Sequence, residues 1–143
     1  MKKNILIAIC LLLGTFIHSQ ETHYINAGMY YYEPSELTIN QGDIVVWLNE
    51  EGYHDVNGET NSLDGLPFNN PESFDSPATG DIGEIYTHTF NITGTYNYDC
   101  SVGNHAAQGM VGQIIVNPIS NNSSSALLLT ELTDPQNSSD AGR

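Results

Sequence analysis

The chain reads as an all-β protein, an antiparallel sandwich or barrel of short strands. Three observations point there. Apolar and polar residues alternate over short windows such as Glu84 to Phe90 and Thr95 to Cys100, the period of a half-buried strand. Glycine, asparagine, aspartate and proline punctuate the chain between those windows, as turns require. No window carries a convincing helical period, apart from a possible turn near Pro71.

The elements follow in chain order. Lys2 and Lys3 precede a nearly unbroken apolar run from Ile5 to Ile17, too short to span a bilayer comfortably, and His18-Ser19-Gln20 then turns polar. This is the pattern of a secretory signal peptide cut near Ser19 or Gln20, so residues 1–20 are assigned to a leader; an uncleaved N-terminal anchor is the other reading. Ile9 stands before Cys10 where a lipoprotein usually has a small residue, so Cys10 counts as part of the apolar run.

Residues 21–118 are assigned to one domain. His23 is expected at the surface before the first strand, and Tyr30-Tyr31-Tyr32 in strand packing. Leu37-Thr38-Ile39 leads into the turn Asn40-Gln41-Gly42-Asp43. Ile44 to Leu48 is continuously apolar, which suits a strand buried on both faces. Residues 57–81, with Pro67, Pro71 and Pro77 among glycines and asparagines, form a long irregular stretch. His88 lies at alternate spacing with Tyr86 and Phe90, a structural position. Thr95 to Cys100 sets Tyr96, Tyr98 and Cys100 on one side, and Val111 to Val116 is the last strand.

After Pro118 the composition shifts. Asn121 to Ser125 is a polar linker, followed by the apolar Ala126 to Thr130. Ala126 to Arg143 resembles the opening strand and loop of a bacterial lamin-tail-type domain, which implies a longer multidomain exported protein; a frayed tail is the plainer reading.

Charge narrows the function. The 143 residues hold 17 acids and 3 bases, a formal charge of -14. Such a chain repels phosphate backbones, which excludes nucleic acid as a partner. Removal of residues 1–20 takes both lysines and Cys10. It leaves Arg143 as the one base, Cys100 as the one thiol, and no apolar stretch long enough to span a membrane. An exported protein with a single thiol forms no internal disulfide. The open choices are an intermolecular bridge, a free thiol or a metal thiolate.

The residues around Cys100 favour the last. Cys100, His105 and Met110 fall within eleven residues on a loop between two predicted strands, and His54 follows the Ile44–Leu48 strand. Soft sulfur with imidazole selects copper or zinc over hard cations, and two histidines and a cysteine with a distant methionine make an electron-transfer copper arrangement. Structural zinc fills four tetrahedral positions with cysteine and histidine, and methionine suits it poorly. Asn91-Ile92-Thr93 is a glycosylation sequon, meaningful only in a eukaryotic secretory pathway.

Gly42 to Asn49 with His54-Asp55-Val56, and Gly94 to Cys100 with His105 and Gly109-Met110-Val111-Gly112, resemble the two ligand regions of the cupredoxins. The resemblance spans about residues 23–117, and the Cys-x4-His-x4-Met spacing looks most like the plantacyanin branch. It implies a Greek-key sandwich and one type 1 copper held by His54, Cys100, His105 and Met110. Three departures stand out. Plant phytocyanins usually carry a disulfide that one thiol cannot make. Asp99 holds the place of the aromatic that gives plastocyanins a second electron exit. Asp55 stands where the family often has asparagine.

The expected function is an exported carrier of single electrons, periplasmic, cell-surface or secreted. It is expected as a monomeric domain whose acids steer a basic redox protein towards His105, the exit edge among Val102, Gly103, Ala106 and Ala107. The alternative is a copper-binding module of a larger surface protein without an electron-transfer role. Catalysis is not expected: multicopper oxidases need further paired histidines, and a binuclear copper site a second nearby cysteine.

Overall fold

A computed structural model describes residues 19–119. The leader assigned to residues 1–20 lies outside that span up to His18, as does the linker and lamin-tail-like segment from Ser120 onward. Among the described residues, seven strands form two sheets. They are β1 (Thr22–Gly28), β2 (Tyr31–Glu33), β3 (Glu36–Asn40), β4 (Ile44–Asn49), β5 (Gly83–Thr89), β6 (Gly94–Asp99) and β7 (Val111–Asn117). The only helical element among the described residues is a single 3-10 turn at Ala106–Gln108. One sheet runs β2-β1-β4-β5 and the other β3-β7-β6.

The all-β sandwich expected from the alternation is what forms, but the pairing within it is mixed. β1/β2, β4/β5 and β6/β7 are antiparallel, while β1/β4 and β3/β7 are parallel. The chain leaves the first sheet after β2, places β3 in the second, and returns as β4 beside β1 in the same direction. Parallel neighbours need such a crossover. Side-chain alternation reports which face a residue occupies and carries no information on strand direction.

The inner faces of both sheets merge into one core. Ile25, Val45 and Trp47 from the first sheet meet Ile39, Tyr96, Tyr98, Ile114 and Val116 from the second. β4, the continuous apolar run, lies between β1 and β5, and three successive residues, Val45 to Trp47, are buried. Trp47 packs at right angles to Tyr98, with ring centroids 5.5 Å apart, and stacks on Phe74. Tyr98 lies flat over its cross-strand partner Gly112, where an added β-carbon would sit 2.2 Å from its ring. Any larger residue at 112 drives into the core.

The irregular stretch also contributes. Between β4 and β5 only isolated bridges form, yet this segment inserts Phe74 among Trp47, Phe90, Tyr96 and Tyr98. His88 is structural, as expected: it stacks on Phe74, its Nδ1 lies 3.2 Å from the Tyr86 hydroxyl, and its Nε2 lies 3.2 Å from Glu72. Two local expectations fail. His23 lies within β1, half-buried, with Nε2 3.0 Å from the fully buried Asp43, because the Asn40–Asp43 turn folds back onto that strand. Of the tyrosine run, Tyr32 packs into the core, but Tyr30 leaves the strand with φ of 66°.

Candidate metal centre

His54 sits on the loop after β4, anchored by reciprocal backbone hydrogen bonds with Thr79. Its Nε2 lies 2.9 Å from the Glu51 carbonyl. A carbonyl only accepts, so Nε2 carries the proton and the lone pair falls on Nδ1; such outer contacts orient metal-binding imidazoles. Gly52 makes this approach feasible: its φ is +91°, and an added β-carbon would lie 2.6 Å from His54 Nε2. Burial holds the His54 ring below the usual histidine range, which favours the neutral form that a metal needs.

Cys100 is the first residue beyond β6, fully buried and free of any disulfide. The segment after it turns back on itself. His105 precedes the 3-10 turn, Gly109 closes it in a left-handed conformation, and Met110 begins the return into β7. Met110 N–H donates to the His105 carbonyl and Cys100 N–H to the Met110 carbonyl, each at 3.1 Å. Met110 is fully buried. Cysteine, histidine and methionine therefore belong to one hydrogen-bonded loop.

The donor atoms converge. His54 Nδ1 and His105 Nδ1 are 3.2 Å apart, and Cys100 Sγ lies 3.8 Å from the first and 3.4 Å from the second. Metal–nitrogen and metal–thiolate bonds of about 2.0–2.3 Å in a trigonal plane give sides of about 3.5–3.8 Å; the observed 3.2, 3.4 and 3.8 Å are close to this, with two sides slightly short. Burial pushes the Cys100 thiol up to about 11, with N–H donation from Asp55 and Val102 opposing the rise. The metal-free thiol is therefore protonated at neutral pH, and metal binding must displace that proton.

Two acids flank the thiol. Asp55, 6% exposed, accepts the Ser101 N–H at 2.7 Å and also the Ser101 hydroxyl. The Tyr32 hydroxyl donates to the Asp55 carbonyl. This carboxylate ties the His54 loop to the Cys100 loop. Asp99, 1% exposed, accepts Ser62 N–H and Asn57 Nδ2, both at 2.7 Å, and the Ser62 hydroxyl at 2.9 Å. It pins the irregular stretch to β6.

His105 is half-buried beside Ala107 and Val102, with Ala106 buried beneath. Sequence reasoning missed Tyr30, whose ring meets the His105 ring edge-on with centroids 5.0 Å apart. Nothing in the tyrosine run marked this residue, because the contact depends on a turn reversing the chain across the ligand loop.

Comparison with known proteins identifies the family. The family model for copper binding proteins of the plastocyanin/azurin family matches residues 20–117. Chloroplastic plastocyanin from Tetradesmus obliquus is 33% identical over 92 residues, covering 64% of this chain and 61% of that protein. The Oryza sativa subsp. indica protein is 28% identical over 97 residues, covering 64% and 58%. The chain thus spans about three fifths of the length of these relatives. Among solved structures, an oxidized amicyanin mutant aligns with a TM-score of 0.50 and 24% identity over 66% of this chain and 80% of that one, a likeness of fold. With the family model spanning most of the sequence, the chain belongs to the plastocyanin/azurin family of copper-binding proteins.

Proposed function

We propose that the protein is an exported carrier of single electrons whose copper is held by His54, Cys100, His105 and Met110. The observation that carries this reading is the convergence of two imidazole Nδ1 atoms and one buried thiol, with the His54 tautomer already set by Glu51. Plastocyanin- and amicyanin-like members of the family are electron carriers rather than enzymes. Copper bound to such a donor set supplies one-electron redox chemistry.

The chain's own residues do the rest. Cys100 and His105 are five residues apart on one hydrogen-bonded loop, and Asp55 joins that loop to the His54 loop through Ser101, so the donor set is braced against rearrangement. The half-buried His105, among small apolar neighbours, offers the edge that a partner can approach. All 17 acids except Glu131, Asp134 and Asp140 lie in residues 21–118, with no lysine or arginine there, so the surface field draws a basic redox protein. The signal-like leader supports export.

Copper titration of the purified chain with an absorption spectrum tests the site. One equivalent of copper(II) should give an intense visible thiolate band that ascorbate bleaches; a colourless protein would refute the reading. Electron exchange with a cationic redox protein should slow strongly from 0.1 to 1 M salt, as the screening length falls from about 10 to about 3 Å. Exchange with a neutral small reagent should barely change. Copper binding without electron exchange would leave a copper-holding module.

A further inference from the structure

Tyr30 lies at the second position of the two-residue connection between the paired residues Gly28 and Tyr31. Its φ of 66° is in the left-handed region that suits glycine or asparagine and makes a bulky side chain an outlier. Asn69 is the one other non-glycine residue with positive φ among the described residues, and asparagine tolerates that conformation. Strain at a bulky residue persists where the surroundings hold it, and such sites cluster at functional positions. The ring of this strained residue meets a candidate copper ligand.

The two histidines are held differently. His54 has its Nε2 on the Glu51 carbonyl. For His105, the ring hydrogen-bond contacts among the described residues involve Nδ1 alone, the atom facing His54 and Cys100. Two rings meet it: His54, with centroids 5.1 Å apart and planes at 57°, and, from outside the donor cluster, Tyr30, with centroids 5.0 Å apart and planes at 75°. That is the edge-to-face geometry aromatic pairs favour. The same turn also sets the Tyr30 carbonyl 4.0 Å from where a β-carbon on Gly109 would sit, so turn and ligand loop abut.

We propose that Tyr30 is a positioning residue that fixes the His105 ring, doing by aromatic contact what Glu51 does for His54 by hydrogen bond. The inference rests on the copper reading above. A φ of 66° suits glycine better than tyrosine, and what the half-buried ring meets is the ligand loop at His105.

The test compares Tyr30→Gly and Tyr30→Phe in the whole chain. Glycine removes the ring and relaxes the backbone, while phenylalanine keeps the ring. Three quantities are read: the thermal midpoint of the metal-free protein, the NMR line shapes of the His105 ring in the metal-free and copper(I) forms, and the rate at which bathocuproine disulfonate removes copper(I). Tyr30→Gly should unfold at or above the wild-type midpoint, show an exchange-broadened His105 ring, and lose copper(I) several-fold to about tenfold faster. Tyr30→Phe should match wild type throughout. Unchanged ring signals and copper loss in Tyr30→Gly would overturn the inference while leaving the copper site intact. A lowered metal-free midpoint in Tyr30→Gly would overturn it in favour of a folding role, and Tyr30→Phe behaving like Tyr30→Gly would also overturn it. A wild-type chain that takes up no copper would overturn both readings.

Discussion

Among the described residues, two clusters of three bring a histidine within 4.8 Å of two other potential metal donors, and they differ in what their lone pairs face. At His54, Cys100 and His105, the nitrogen and sulfur atoms point at one another, and His54 spends its proton on the outward side. At Glu21, His23 and Asp43, the central carboxylate is already occupied. Asp43 accepts the Glu21 N–H and the Asn40 N–H, each at 3.0 Å, and faces His23 Nε2 at 3.0 Å. In the first cluster two imidazole nitrogens and a thiol, whose proton a metal would displace, face one another, whereas the second is a turn stapled to a strand. Proximity of ligand-type residues is thus a weak criterion, and the direction of hydrogen-bond donation separates a metal centre from a structural knot.

The sharpest way to break this contrast is Cys100→Ser, which should abolish the visible charge-transfer band altogether on copper addition. A serine variant that stays coloured would mean that the thiol is not the ligand. The second cluster should respond in the opposite sense. Asp43→Ala leaves three polar groups without their acceptor and should cost about 3 kcal/mol in urea unfolding, with copper stoichiometry unchanged. Loss of copper uptake in the folded variant would erase the distinction between the clusters.

Acid should separate them further. Burial opposes ionisation of Asp43, but the hydrogen bonds from Glu21, His23 and Asn40 outweigh it and hold its carboxyl below the usual range. A carboxyl with a lower value in the folded than in the unfolded chain adds stability above the unfolded value of about 3.9. That stability is lost as pH falls through the folded value. Metal-free unfolding measured from pH 5 down to pH 2 should therefore fall more steeply in wild type than in Asp43→Asn. Equal slopes would show that Asp43 adds no pH-dependent stability.

The smallest effect concerns Met110. On the proposed reading, Met110→Leu should keep the copper and raise the reduction potential, because it would remove a thioether that favours copper(II). Protein-film voltammetry reads this directly, and complete loss of copper would make Met110 more than an axial ligand.

Much of this was legible in the chain. The alternation at Glu84–Phe90 and Thr95–Cys100 places β5 and β6 within a residue of where they form, because strand periodicity is a local property. That Cys100, His105 and Met110 share one hydrogen-bonded loop was legible for the same reason: residues of one loop are neighbours in sequence. His54, 46 residues before Cys100, was reached through its place after the Ile44–Leu48 strand, its donor chemistry and the resemblance of its flanks, and not through a ligand spacing. His23 misled because its partner Asp43 arrives through a turn that folds back onto β1, a contact no local pattern encodes.

The sequence by itself determined an all-β chain, a strongly acidic domain and the chemical type of the donors. Those follow from composition, period and residue identity, which are properties of single positions and near neighbours. Only the tertiary structure decided that β1/β4 and β3/β7 run parallel, that Glu51 sets the His54 tautomer, that Asp55 joins the two ligand loops, and that a strained Tyr30 rests on His105. Each of these depends on the direction in which a distant segment returns. That direction is set by the packing of two sheets around one core and leaves no mark in any short window of the chain.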